Sequence, residues 1–259
     1  MARQVGLIKF KGNLDGLSGY KGKTKTGKPK ESLIRTAGGV DGDRIKNSPE
    51  FARTRENMSE FGRSGTLAKQ IRLGHAPTLK AARVPLLASK MTKAVRDLIA
   101  LDAVNVRGER TVTEPNFGGL NGTKINPLVN LDSILNFSLD GAFASPSYNL
   151  NVPSFTPITD VNADPASDVM TITVAACAID IATGTVTASD SAQTSAIDIT
   201  SATATVAETL SCDLTGANAG DWVLVSVSIS FAQSVNGANY PLKNDAYIPI
   251  EVIEGLAFA

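Results

Sequence analysis

Histidine, cysteine and aromatic residues are scarce: the 259 residues include one histidine, two cysteines, one tryptophan and only 5% aromatics. The lone His75 removes most catalytic triads and most imidazole metal sites from consideration. It sits in an expected interhelical connection and reads as a solvated loop residue. Cys177 and Cys212 allow one pairing at most, so the fold must rest on packing; their Ala- and Ser-rich, strand-like surroundings read as those of buried thiols. Trp222 opens a core-like strand, which leaves no clustered aromatic surface for a glycan. No apolar run approaches the roughly twenty residues that span a bilayer. The apolar patch at 5–8, interrupted by Lys9, is too short for a signal-peptide core. These absences predict a non-enzymatic protein without cofactor, metal or membrane span, cytoplasmic on synthesis. Its final place is left open to an extracellular or virion-like assembly.

Net charge is also absent, but only in the sum. Lys and Arg number 25 and Asp and Glu 25. Up to Arg110 there are 23 Lys and Arg against 10 Asp and Glu, and beyond it 2 against 15, so the two parts are formally +13 and −13. Such asymmetry points to electrostatic partners. The composition shifts at the same place, from Lys, Arg and Gly to Thr, Ser, Val and Ala.

Residues 1–48 read as an extended basic arm or β-meander. A weak alternation at Val5 to Lys11 is followed by the turn residues Gly12 to Gly16, a returning strand at Gly19 to Thr24, a turn at Lys25 to Pro29 and a further strand at Ser32 to Arg35. So few apolar residues cannot bury enough surface alone, which calls for a partner surface. Residues 49–110 read as helical. Ser48-Pro49-Glu50 is a helix start, and the helix is expected to run to about Arg72 with Phe51, Met58 and Phe61 on its apolar side and a weak point at Gly62 and Gly65. A second helix after Pro85 carries Leu87, Met91, Ala94, Leu98 and Leu101 at helical spacing, a docking face or a core stripe.

Residues 111–259 change to a period of two. Leu135, Phe137 and Leu139 alternate with polar residues, as do Met170, Ile172 and Val174, and Val223, Val225, Val227, Ile229 and Phe231 alternate with Leu224 and serines. Asn236-Gly237 has the positive-φ residues of a tight hairpin before a last strand at 247–253. Short strands without helical period predict an acidic antiparallel β-sandwich with exposed edges. The fold class expected is α+β: a basic N-terminal β-arm and helical region followed by that sandwich.

Two apparent motifs fail on spacing. Gly16 to Thr24 resembles a phosphate loop, but five residues instead of four separate Gly16 from the Gly22-Lys23 pair, and no helix is expected after Thr24. Asp160, Asn162 and Asp164 have the spacing that opens a calcium loop, yet Pro165 and Thr171 stand where glycine and a bidentate glutamate are needed.

The segments Ala2-Arg3-Gln4-Val5-Gly6-Leu7-Ile8-Lys9, Gly38-Gly39-Val40-Asp41 and Asn47 to Asn57 resemble a group of Bacteroidota proteins with a basic N-terminal region and a β-rich C-terminal domain. The likeness extends to Val235-Asn236-Gly237 and Tyr240 to Asn244. The resemblance implies a two-part architecture and carries over no site residues.

The distribution of charge then predicts a self-assembling homo-oligomer. The basic arm and helical half of one subunit would dock head-to-tail on the acidic β-domain of the next, in a filament, tube or shell. The expected contacts are Lys21, Lys23, Lys25, Lys28 and Lys30 in the arm and Leu87, Met91, Leu98 and Leu101 on the helical face. The alternative partner is nucleic acid, held by the same lysines and Arg35 in a coat-like role, although Tyr20 is the only aromatic nearby for stacking.

Overall fold

The computed structural model describes residues 2–5, 8–23, 29–36, 38–81, 84 and 86–258, and the side chains of all of these except Lys23, Pro29, Lys30, Glu114, Pro115 and Phe117. The fold is α+β, with helices and antiparallel sheets. The chain divides into two compact units, 1–55 and 56–259. Among the described residues no helix is long and apolar enough to cross a membrane.

In the first unit β1 (Ala2–Arg3), β2 (Gly12–Leu14), β3 (Leu17–Lys23) and β4 (Pro29–Thr36) form an antiparallel sheet in the order β1-β4-β3-β2. Asp15 and Gly16, at φ 36° and 79°, make the turn between β2 and β3, as two-residue hairpins require. The register sets Leu14, Leu17 and Ile34 on one face and Arg3, Tyr20, Leu33 and Arg35 on the other. A strand is expected over 5–11, of which residues 6 and 7 lie outside the described residues; residues 5 and 8–11 are not in a strand. Instead Gln4 ties that stretch down, its amide donating to the carbonyls of Phe10 and Leu33 and its oxygen accepting from Phe10 N–H. The Phe10 ring lies where a Cβ on Gly19 would need room. A short helix, α1 (Gly42–Asn47), and a 3-10 turn follow. Ser48 does not cap through its side chain; its carbonyl and that of Ile45 each accept from Arg55 at 2.8 Å. Among the described residues of this unit no apolar side chain is buried. What is buried is Gln4, Gly19 and Ser32.

The second unit is a layered body. Its α-helices are α2 (Ala52–Gly74, which begins before the division), α3 (Ala76–Leu79), α4 (Leu87–Ala100), α5 (Leu131–Ile134) and α6 (Pro157–Asp160). Its strands are β5 (Asp140–Ala144), β6 (Ser147–Val152), β7 (Val169–Asp180), β8 (Thr185–Gln193), β9 (Ile197–Asp198), β10 (Glu208–Asp213), β11 (Trp222–Val235), β12 (Ala238–Pro241) and β13 (Ile250–Ala257). The sheet β10-β6-β5 has three strands; the larger, curled sheet has six, built on β12-β11-β7-β8 with β13 against β11 and β9 against β7. Asn236 and Gly237 form the β11–β12 turn at φ 52° and 79°, as their sequence predicts. The strand expected over 135–139 does not form: α5 ends at Ile134, Leu135 makes a single bridge to Val161, and 136–139 is irregular.

The large sheet is covered on both faces. Met170, Ile172 and Val174 of β7 and Val223, Val225 and Val227 of β11 share an apolar core with Tyr148 and Leu150 of β6 and Leu210 of β10. On the opposite face Cys177, Ile179, Trp222 and Leu224 share a second core with Ala68, Ile71, Met91, Val95, Leu98 and Ile99 of the helices. The small residues Ala175, Ala176, Cys177 and Ala178 at the middle of β7, all fully buried, let both layers come close. β11 alternates in type but not in burial, since Ser226, beneath α3, and Ser228 have almost no exposure.

The apolar side expected for α2 is the wrong one. Its buried residues are Glu60, Ser64, Ala68, Ile71 and Gly74, whereas Met58 and Phe61 are 62% and 58% exposed. Close packing selects the small side of the helix. Nor do Gly62 and Gly65 break it. The buried Glu60 carboxylate accepts from Gly108 N–H at 2.8 Å. The sign change in charge near residue 110 falls in an ordered loop of this unit. There Asp102 accepts from the backbone N–H groups of Val104, Asn105 and Thr111 and from the Asn105 amide. The Asn105 amide and the Thr111 N–H, the strongest of these, hold the carboxyl well below the usual carboxylate range.

Candidate functional site

One cluster of chemically capable side chains lies between helices and sheet. α2 ends at Gly74 and α3 begins at Ala76, which turns His75 inward onto the large sheet. Cys177 on β7 and Ser226 on β11 point toward it from adjacent strands, where Cys177 pairs with Leu224 and Ser226 with Ala175. His75 Nε2 is 3.1 Å from Cys177 Sγ, and His75 Nδ1 is 2.8 Å from Ser226 Oγ. Ser226 Oγ is 2.8 Å from Thr78 Oγ1, which donates to the His75 carbonyl at 3.0 Å.

One placement of the protons satisfies all four side-chain contacts of this cluster. Thr78 has one hydroxyl proton and gives it to the His75 carbonyl, so between Thr78 and Ser226 it is Ser226 that donates. Ser226 Oγ then accepts from His75 Nδ1–H, and His75 Nε2 accepts from the Cys177 thiol. The network closes with imidazole and thiol both neutral. Burial favours the same state: desolvation lowers the His75 pKa to about 4, against a smaller opposing effect of the Ala175 backbone, and raises that of Cys177 to about 12. A thiol nucleophile needs its thiolate and access to substrate. Here the ionised pair is disfavoured on both sides and Cys177 is completely buried. The arrangement can pin α2 and α3 to the sheet, but it does not prepare a reaction. His75 is therefore a buried network residue and not the solvated loop histidine its sequence context predicts.

The basic candidates fall in the first unit. Lys21 is exposed on β3, opposite Ser32. Lys25 and Lys28 lie outside the described residues, as do the side chains of Lys23 and Lys30. Arg35 stands over the Tyr20 ring at 5.4 Å, within cation–π range, and Arg3 pairs with Glu31. In the same unit Val5, Ile8, Leu14, Leu17 and Val40 are exposed.

The helical candidates separate. Met91 and Leu98 are buried in the core shared with the large sheet, and Leu87 packs against its edge. The surface of these residues is used within the chain. Leu101, just beyond α4, is exposed. A groove of about 540 Å³ between α2 and α4 is lined by Phe61, Arg72, Thr92, Lys93 and Arg96.

The two motif-like segments have structural uses. Gly16 to Lys23 is a turn and strand. Asp160 accepts from Thr156 N–H, and Asp164 from Ala166 N–H and the Asn244 amide. Among the described residues no three His, Cys, Asp or Glu side chains converge as metal ligands. No known family, curated protein or solved structure matches the chain.

Proposed function

We propose that this is a non-enzymatic structural protein that assembles with copies of itself. The basic N-terminal segment acts as an arm that docks on the acidic β-rich part of a neighbouring copy. The observation that carries this reading is the burial pattern of residues 1–55: a four-stranded sheet and flanking segments that bury no apolar side chain among their described residues and expose Leu14 and Leu17 on the strands and Val5, Ile8 and Val40 beside them in sequence. Such a sheet gains little from its own packing and is completed by a surface from outside. Charge supports the direction of docking. Residues 1–55 hold 13 Lys and Arg against 5 Asp and Glu, a formal +8, and the remainder holds 12 against 20, a formal −8. Unlike surfaces joined head to tail propagate into rings or filaments.

The packing of β10-β6-β5 over the large sheet supports reading the acidic part as an antiparallel sandwich with helices on its other face. Met91 and Leu98 of the α4 stripe are buried within the chain, so docking is assigned to the basic arm.

The test is electron microscopy with solution mass measurement on nuclease-treated protein at low and high salt, for the wild type and for Lys21, Lys23, Lys25, Lys28 and Lys30 all changed to Glu. Large species that survive nuclease and vanish in the five-fold variant are expected. Unchanged particle size in that variant at low salt overturns the reading. Particles that disperse with nuclease instead identify a nucleic-acid coat.

A further inference from the structure

The groove between α2 and α4 is not used by the fold. Because α2 buries its small side, Phe61 is turned outward and keeps 58% of its surface exposed in the wall of this recess of about 540 Å³. Arg72 lies eleven residues further on, close to three full turns, so both side chains look into the groove, about 16 Å apart along the helix. Gly65, between them on the same side, meets no atom where a Cβ would stand, which leaves the helix backbone open to a ligand. From α4 the groove receives the small side chains of Ala88, Ser89 and Thr92 and, beside them, Lys93, Arg96 and Asp97.

The charge of this helix layer is one-sided. Residues 56–100 hold 8 Lys and Arg against 3 Asp and Glu. All three carboxylates are engaged: Glu60 accepts from Gly108 N–H, Glu56 pairs with Arg107, and Asp97 accepts from Lys93 at 2.6 Å. Among the described residues no carboxylate pairs with Arg72 or Arg96. An exposed aromatic ring therefore shares one recess with two guanidinium groups that have no counter-charge.

We infer that this groove binds single-stranded nucleic acid, with one base stacked on Phe61 and neighbouring phosphates on Arg72 and Arg96. A single strand offers both things the groove lacks: a flat π-face for the ring and negative charge for the guanidiniums. The recess lies between two helices, so a flexible strand can enter it, whereas a base inside a duplex keeps its faces against its stacked neighbours and does not reach the ring. An acidic peptide satisfies the arginines but brings no flat face to Phe61. One ring sets one base, so the contact is indifferent to sequence. The site is separate from the arm lysines and does not rest on the docking of the arm.

The test is fluorescence anisotropy of the full, nuclease-treated chain with a labelled oligothymidylate of about twelve nucleotides, a length within the usual single-strand site sizes. The wild type should bind it. Phe61→Ala, at an exposed position, should weaken binding about fivefold or more, as the loss of one stacked base requires, and leave the salt dependence unchanged. Arg72→Gln and Arg96→Gln should each lower the slope of log affinity against log salt by about 0.7. With Lys21, Lys23, Lys25, Lys28 and Lys30 all changed to Gln, the loss on Phe61→Ala should persist, which separates the groove from the arm. No binding by the wild type at low salt, or equal binding by Phe61→Ala, overturns the site, as does equal affinity for the same strand paired with its complement. Displacement of the oligonucleotide by a polyglutamate peptide at equal concentration assigns the groove to an acidic protein segment and also overturns it. Self-assembly is read from particle size, so its failure leaves these outcomes unchanged.

Discussion

Gly74 and Cys177 meet without space for another atom: a Cβ on Gly74 would stand 2.5 Å from the Cys177 Cβ. Gly74→Ala should therefore destabilise the second unit by about 1–3 kcal/mol, the usual cost of overpacking. Cys177→Gly in the same chain should recover part of that loss, because the two positions share one contact. Chemical denaturation of the two single variants and the double variant measures the coupling; strict additivity would show that the close approach is not the cause.

The His75 imidazole makes stability depend on pH in a defined direction. Its folded pKa is lowered from 6.5 to about 4 by burial, so on acidification the unfolded chain takes up the proton first. The contribution is fully present above about pH 7, declines as pH falls through 6.5, and is exhausted near pH 4, at a cumulative cost of about 3 kcal/mol. His75 is the only histidine, so the slope of unfolding free energy between pH 7 and 5 reports this residue. It should flatten in His75→Gln.

Two serines on one strand should behave oppositely. Ser226 links His75 to Thr78, and Ser226→Ala leaves the imidazole N–H without its acceptor, a loss of about 1–3 kcal/mol. The buried hydroxyl of Ser228 has no hydrogen-bond partner among the described residues. Ser228→Ala removes an unsatisfied polar group and should leave stability unchanged or raise it by up to about 1 kcal/mol. Thermal melts of the pair compare them directly.

The orientation of α2 gives a second contrast. Met58 is exposed and Ile71 is buried. Met58→Ala should shift stability by no more than about 0.5 kcal/mol, while Ile71→Ala should cost about 2–5 kcal/mol. A large loss at Met58 would restore the apolar side that the sequence pattern favours.

Much of the β-rich architecture was legible because alternation and turn chemistry are local. Asn236-Gly237 and the valines of β11 needed no tertiary information. Burial on both faces was not legible in the same way. Leu224, Ser226 and Ser228 occupy alternate positions that suit solvent or a second layer equally, and only the helices packed above them decide. The α2 error has the same origin: Phe61 and Met58 are the largest apolar residues, yet close approach to β7 rewards Ser64, Ala68 and Gly74. The His75 cluster joins residues 102 and 151 positions away from it, and no local signal announces such a meeting. The nearest hint was composition, a single histidine followed by Ala-Pro-Thr at the end of a helix that stops on glycine.

The sheet of residues 1–55 that buries no apolar side chain also divides the molecule in time. Amide protons of β3 and β4 are guarded by hydrogen bonds that can open locally, so they exchange with solvent at a free-energy cost well below that of global unfolding. Those in the doubly covered middle of β7 and β11 wait for the whole second unit to open. Isotope exchange would thus read one chain as two clocks, and anything that covers the N-terminal sheet would slow the faster one.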